Sequence, residues 1–450
     1  MTSRIERQKY WRNHPTICPV LPWWQRLSTI YSSTYNLPWS HNCTYCGIRL
    51  LNSERNGWCC NNGKYYSRLQ PLQPLPSTLT NLCNTQDLHF SWLSRRINNL
   101  YAFTALGTTG KFINFSGLSN VVVTGRVYHR MLDLSTPKHS LHWFLYDENS
   151  RYMVGHEYHI PQTVIQNLSM MFHNINPYIV QLKAATNSVH STTNPLSVTL
   201  DLPSQGGELA AIIHTANLTS VSNRQVVIYN STTNQPRFIS ILSNQYEPLQ
   251  YPLLFPYGDR GWCPEMSTHS QSTYYRIRLL TEPRFRQMGR LTCEYLIDMY
   301  SRIEEERLNY IQLGRQQQYR SSPQIESGFQ NMLPASFLES RAWASEQVAD
   351  ALALCREYGK PSLFLTMTTN PQWPEIVEVL QPHQTACEIP EVVCRVFKAR
   401  LEVLLKLLRT YFGKILYMVR VVELQKRGLP HCHLLLKVIY ILNCLYFGKY

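Results

Sequence analysis

The spacing of apolar positions changes period along the chain, and each change marks an element. From Ser362 to Thr369 the run SLFLTMTT alternates with the period of two that predicts a strand, and NPQWPEI after it predicts a Pro-stopped turn holding Asn370 and Trp373. Glu391 to Tyr411 then takes a helical period. Val392, Val393, Val396, Phe397, Leu401, Leu404, Leu405 and Leu408 fall on one side, and Arg395, Lys398, Arg400, Lys406 and Arg409 on the other. Two further β-rich runs, Ile415 to Leu424 and His431 to Val438, flank a Lys-Arg-Gly-Leu-Pro segment that only a turn accommodates, so they predict a hairpin. Strand, helix, strand, strand with a tight last turn implies an antiparallel α+β sheet rather than a doubly wound parallel one.

Upstream the pattern is mostly helical. Arg284 to Tyr319 repeats Leu296, Met299, Ile303 and Tyr310 on one face, and Leu338 to Tyr358 predicts a second helix stopped by Gly359 and Pro361. The other face of the first carries Arg290, Arg302, Arg307, Arg315 and Arg320. It is either a phosphate-following surface or a solvated face interrupted by Glu304, Glu305 and Glu306. LQYPLLFPYGDRGW, Leu249 to Trp262, is too apolar for a free linker and predicts a packed loop. Residues 87–101 suggest a helix, while Tyr101 to Gly107, Val121 to Arg130 and His142 to Tyr146 suggest short strands. Residues 185–235, rich in Ser, Thr and Asn, suggest a loop-dominated connector. Pro71, Pro74 and Pro76 mark a linker, and the tryptophans of residues 1–40 show no period. Three parts are expected: residues 1–90 with a Cys-rich knuckle, 91–250 as an α+β intermediate domain, and 251–450 as the antiparallel-sheet domain.

Composition narrows the partners. The 450 residues are 44% apolar and 16% charged, enough to bury a core, and 43 Lys and Arg against 29 Asp and Glu give a net charge of +14. That balance favours a polyanion, nucleic acid being the commonest. No apolar segment follows the basic N-terminus, and the most apolar run, Leu434 to Phe447, is shorter than a bilayer span and broken by Lys437 and Asn443. Neither a secretory signal nor membrane insertion is expected, and no small-molecule substrate is evident. Thirteen cysteines in such a chain point to reduced thiols or metal rather than a disulfide framework.

Two clusters carry candidate chemistry. In ELQKRGLPHCHLLLK, His431 and His433 lie two apart on a strand and share a face; a turn centred near Arg427 and Gly428 sets Glu423 across the ladder from them. One carboxylate and two imidazoles suit a hydrated Mg or Mn ion, which can polarise a phosphate. An H-x-H pair also arises by chance among 15 histidines, as structural residues. In HNCTYCGIRLLNSERNGWCCNNGK, the C-x-x-C of Cys43 and Cys46 is followed, after a loop of twelve residues, by Cys59 and Cys60, a pattern that suits one structural zinc. Adjacent ligands are unusual, so His41 or Cys83 stays open as the fourth, and buried unmetallated thiols are the plain alternative. His129, His142, His156 and His159 lack a carboxylate partner at strand or helix spacing and read as structural or surface residues.

The string KRGLPHCHLLL resembles the metal motif of Helitron-type rolling-circle transposases, whose Rep nuclease is an HUH endonuclease (His, hydrophobic, His), with Cys432 in the middle place. SLFLTMTTNPQWPEI, EVVCRVFKARLEVLLKLL, LQYPLLFPYGDRGW and the Cys-rich segment resemble further stretches of the same proteins, in order from about Cys43 to Val438. The resemblance implies an HUH-like fold for 251–450, an Mg or Mn site at Glu423, His431 and His433, and single-stranded DNA as partner in the nucleus. Arg395, Lys398, Arg400, Lys426 and Arg427 are the candidate DNA contacts. It also implies nicking by tyrosine attack, but KVIYILNCLYFGKY leaves the pattern after Val438, and Tyr440, Tyr446 and Tyr450 lie too close to the metal strand to take that role. No catalytic residue is therefore assigned, no P-loop is present, and an incomplete copy, inactive alone, is expected. A DNA-binding module without cleavage and an unrelated metal-dependent hydrolase are the competing readings.

Overall fold

Short apolar runs broken by Gly, Pro and capping Ser residues divide the chain into many small elements. The computed structural model describes residues 35–85, 88–102, 105–108, 127–130, 148–179, 199–202, 207–210, 226–229, 236–239, 242–266, 269–321, 333–338, 340–425 and 428–439. Strands β1 (Trp39–Asn42) and β2 (Arg49–Leu51) form an antiparallel hairpin with a bulge after Trp39. Beyond the prolines come helices α1 (Ser77–Asn84) and α2 (Phe90–Asn99), the latter where helical spacing predicts one. β3 (Ala105–Thr108) pairs antiparallel with β4 (Val127–Arg130), matching parts of two expected strands, whereas His142 to Tyr146 lies outside the described residues. Helices α3 (Glu148–Glu157) and α4 (Gln162–Ile175) follow. Within the expected connector, β5 (Thr199–Leu202) pairs with β6 (Gly207–Ala210), and β7 (Val226–Tyr229) pairs with β8 (Pro236–Ile239), which follows it.

Helix α5 (Tyr246–Gln250) opens the aromatic Pro-rich loop, which leads to α6 (Gln271–Thr281), α7 (Pro283–Gln287) and α8 (Gly289–Ser321). The single helix expected from Arg284 is thus two, stepped at Met288. The loop is packed, as its composition implies: Leu253, Leu254 and Phe255 are fully buried beside α2, α4 and α8 in the largest apolar cluster. That cluster combines residues on both sides of positions 90 and 250.

The same loop surrounds a buried charge. Glu247 accepts from the Trp262 amide at 2.8 Å and from the Tyr295 hydroxyl at 2.7 Å, and faces Arg302 at 3.4 Å, with neither ionic side chain exposed. A Cβ on Gly261 would stand 2.4 Å from the Glu247 carboxylate, so only glycine passes there.

The remaining elements build the sheet. Helix α9 (Arg341–Tyr358) starts on Ser340, whose hydroxyl accepts from the Trp343 amide at 3.0 Å, and stops at Gly359 with φ at 81°. Strand β9 (Leu363–Thr368), helix α10 (Pro374–Val377), helix α11 (Pro390–Phe412) and strands β10 (Ile415–Leu424) and β11 (Pro430–Val438) follow. All neighbours are antiparallel, in the order β10, β11, β9. Leu363, Leu365 and Met367 of β9, with Cys432, Leu434 and Leu436 of β11, pack against Phe397, Leu401, Leu405 and Leu408 of α11; on the opposite face the end of α9 covers Tyr417, and the part around Phe364, Val421 and Glu423 is open. The architecture is α+β with small antiparallel sheets. No helix among the described residues is long and apolar enough to cross a membrane.

The N-terminal hairpin docks on this unit. Leu37, Trp39 and Leu51 share one apolar cluster with Ile376, Val392, Val396, Ala399 and Leu429. Glu375 of α10 accepts from the Leu37 amide at 2.6 Å and, through its carbonyl, from the Trp39 indole at 2.9 Å.

Candidate metal centre on the open sheet face

Alternation along β11 sends Cys432 and Leu434 to the helix and His431 and His433 to the open face. The register pairs Glu423 directly with His431 and Val421 with His433, as a turn centred near Gly428 requires, and Gly428 holds φ at 74°. On the other side Thr368 and Thr366 lie opposite the two histidines. The structure therefore brings Glu423, His431 and His433 together: one donor atom from each lies within 4.8 Å of the others.

The environments of the two imidazoles differ. His431 is buried; its Nδ1 stands 2.8 Å from the Thr368 hydroxyl and 3.2 Å from the Gln425 carboxamide. A proton on Nδ1 donated to Thr368 leaves the Nε2 lone pair for an ion, whereas the Gln425 amide nitrogen, a donor, stands beside the same Nδ1 and suits the other tautomer. His433 faces Glu423, Nε2 to Oε1 at 3.4 Å, while its Nδ1 is buried with no hydrogen-bond partner. Nε2 is the His433 nitrogen placed to share an ion with the Glu423 carboxylate. The residues thus fit a hard divalent cation of the Mg or Mn kind held by two nitrogens and one oxygen.

Neither Thr368 nor Gln425 stands out by composition. Thr368 was legible only through the partner of β11, since strand alternation places it on the right face but does not say which strand lies beside the histidines.

The second cluster lies on the N-terminal hairpin. Cys43 and Cys46 sit on the turn between β1 and β2, where Gly47 takes φ of 76°, and Cys59 and Cys60 enter from the next loop, closed by Asn61 and Asn62 at positive φ. All four sulphurs lie within 4.8 Å of one another; Cys43 and Cys60 are 3.8 Å apart, and Cys46 and Cys59 3.3 Å. A tetrahedral zinc with bonds of about 2.3 Å spaces its sulphurs by about 3.8 Å, so the cage is of the right size. Cys60 completes the group of four sulphurs, and Cys83 packs in the separate helical core.

Electrostatics agree with a shared cation. Burial opposes the Cys43 thiolate, but the amides of Cys46 and Tyr45 and the neighbouring thiols outweigh it and bring the group down to about 6. Burial raises Cys46 to about 11 and pushes Cys59 up further, helped by the adjacent sulphurs. A dication would favour ionisation of Cys46 and Cys59, which burial opposes.

The expected DNA contacts divide. Lys398 is exposed, and Lys426 and Arg427 lie outside the described residues. Arg395 and Arg400 point inward, contrary to the helical-wheel expectation. Arg395 grips Glu54 at 2.9 and 2.6 Å and stacks over Trp39, and Arg400 holds both Glu375 oxygens at 2.9 Å. Their partners lie on segments that sequence periodicity does not see, so a polar helix face became an internal joint. Arg302 is likewise buried on Glu247, and Arg290 stands 3.5 Å from Glu388, which removes both from a continuous basic stripe on α8. Asn370 caps its own turn, accepting from the Gln372 amide at 2.9 Å, and Trp373 packs beneath Arg400.

Residues 271–436 match the family model described as the Helitron helicase-like domain at the N-terminus. This supports a Helitron-type protein. The Helitron-like segment runs from α6 through β11 and contains the triad, whereas the cysteine cluster precedes it and docks on its α11. A Helitron assignment suggests dealings with DNA. No curated protein matches the chain.

Proposed function

We propose that this chain is the DNA-handling part of a Helitron-type rolling-circle transposase, with an HUH-type site at Glu423, His431 and His433, single-stranded DNA as substrate and the nucleus as its place of action. The observation that carries the reading is the convergence of these three side chains on an open sheet face inside the Helitron-like segment. A bound Mg or Mn would supply charge to polarise a scissile phosphate. The chain's own residues do the rest of the positioning: Thr368 and Gln425 fix the His431 ring, and Glu423 stands against His433. Lys398, Lys426 and Arg427 are assigned to phosphates; Arg395 and Arg400 are assigned to the joint with the zinc knuckle formed by Cys43, Cys46, Cys59 and Cys60.

An attacking hydroxyl is a separate requirement. Tyr417, the tyrosine of β10, is 6% exposed and donates to the Gly359 carbonyl at 2.8 Å, and burial with the Cys355 thiol pushes it up to about 12, so it is not assigned that role. The 450-residue chain is expected to bind Mn, read by electron paramagnetic resonance, and to form no covalent adduct with single-stranded DNA. His433→Ala should abolish the Mn signal. Unchanged Mn binding in that variant removes the site, and an adduct traced to Tyr440 or Tyr446 overturns the assignment of an inactive chain. Metal-independent DNA binding would instead favour a module that holds DNA without cutting.

A further inference from the structure

Alternation in β9 sends Leu363, Leu365 and Met367 into the core, and Phe364, Thr366 and Thr368 onto the open face. The threonines suit that face; Phe364 does not, because 61% of it stays exposed. Its ring is nonetheless oriented. It lies parallel to the His433 imidazole, 10° between planes and 5.5 Å between centroids, so one face rests on a metal-site residue and the other looks outward. His431 in turn meets His433 edge-on, at 4.6 Å and 74°. Farther along the same face, Lys437 sits four residues beyond His433, about 13 Å along the strand, where its ammonium donates to the Lys360 carbonyl at 3.0 Å.

We propose that Phe364 is the platform on which one base of single-stranded DNA stacks beside the triad, a reading that rests on the DNA function proposed above. The face presents, in order, groups for a phosphate at the triad, an aromatic plane, and an ammonium at Lys437. That sequence matches the alternation of charge and flat base in a nucleic-acid strand. An apolar peptide segment would meet the ring but would find no use for the polar triad or the Lys437 ammonium. Stacking on a ring is indifferent to base identity, which suits a positioning role rather than sequence reading. Because the ring is held against His433, seating a base there fixes the distance from that base to the metal donors.

The test uses the full chain and a short oligothymidylate carrying one 2-aminopurine, moved stepwise along the strand. Wild-type protein should quench the fluorophore strongly at one position. Phe364→Leu, which keeps an apolar side chain without the aromatic plane, should lose that quenching and bind about tenfold more weakly, while Phe364→Trp retains both and Mn affinity stays unchanged in each variant. Wild-type binding and quenching in Phe364→Leu sink the stacking role and leave the DNA reading intact. Loss of Mn binding in Phe364→Leu also sinks it, by making the ring mere packing for His433. Absence of oligothymidylate binding by the wild type removes the DNA reading itself, and this inference with it.

Discussion

Arg302 shows how much a single side chain can be asked to hold. Its guanidinium has one amino group on Glu247 and on the Tyr275 hydroxyl at 2.8 Å, the Tyr246 ring 4.3 Å away, and no hydrogen-bond partner for Nε and Nη2. Burying a charge this completely is tolerable only while its counter-charge stays, and breaking such a pair typically costs about 3–5 kcal/mol. Arg302→Met is therefore expected to lower the unfolding free energy read from urea denaturation by an amount of that order, while Arg307→Met, on the exposed side of the same helix, stays within about 0.5 kcal/mol of wild type. A loss below about 1 kcal/mol for Arg302→Met would mean that the cluster relaxes around the gap. Residues of this kind are where sequence reading fails. Helical spacing puts Arg302 with Arg290 and Arg307, and nothing in α8 announces that a carboxylate 55 positions earlier will enclose it.

Among the elements, the final hairpin was the most legible. A period of two, a turn that accepts only one chain reversal and two histidines at i and i+2 determine its register, and Glu423 opposite His431 follows from the turn length. The joint between the cysteine hairpin and α11 was not legible, because the Arg395 to Glu54 pair spans 341 positions. Its consequence concerns zinc. A hairpin whose Leu37, Trp39 and Leu51 lie in the same cluster as α11 does not melt by itself. The full chain is expected to carry about one equivalent of zinc by metal analysis, and chelation should shift the main thermal transition rather than add a small early one. Less than a tenth of an equivalent, or a melting curve indifferent to chelator, would leave the four sulphurs as plain core.

At the scale of the molecule, charge sets the expectation for binding. The chain is +14 overall, yet several arginines are spent on internal carboxylates, so fewer cations face solvent than the composition suggests. If the exposed ones meet about four phosphates of a single strand, log affinity should fall with log salt at a slope near −3, roughly a 50-fold loss between 50 and 200 mM salt. Fluorescence anisotropy across that range checks it; a flat response would assign binding to stacking alone. Restoring Glu54→Gln or Arg395→Met variants to this assay separates cations that touch DNA from cations that hold the fold, since the latter should alter melting before they alter the salt slope.

Leu429, at the foot of the hairpin that carries His431 and His433, belongs to the same apolar cluster as Leu37, Trp39 and Leu51. Coupling through such a cluster is reciprocal by thermodynamic necessity. If an occupied open face steadies the β10 to β11 turn, a zinc on the thiolates some forty residues from the chain's start must be held more tightly by the same factor. Zinc affinity at the N-terminal hairpin would then report whether the open face is loaded.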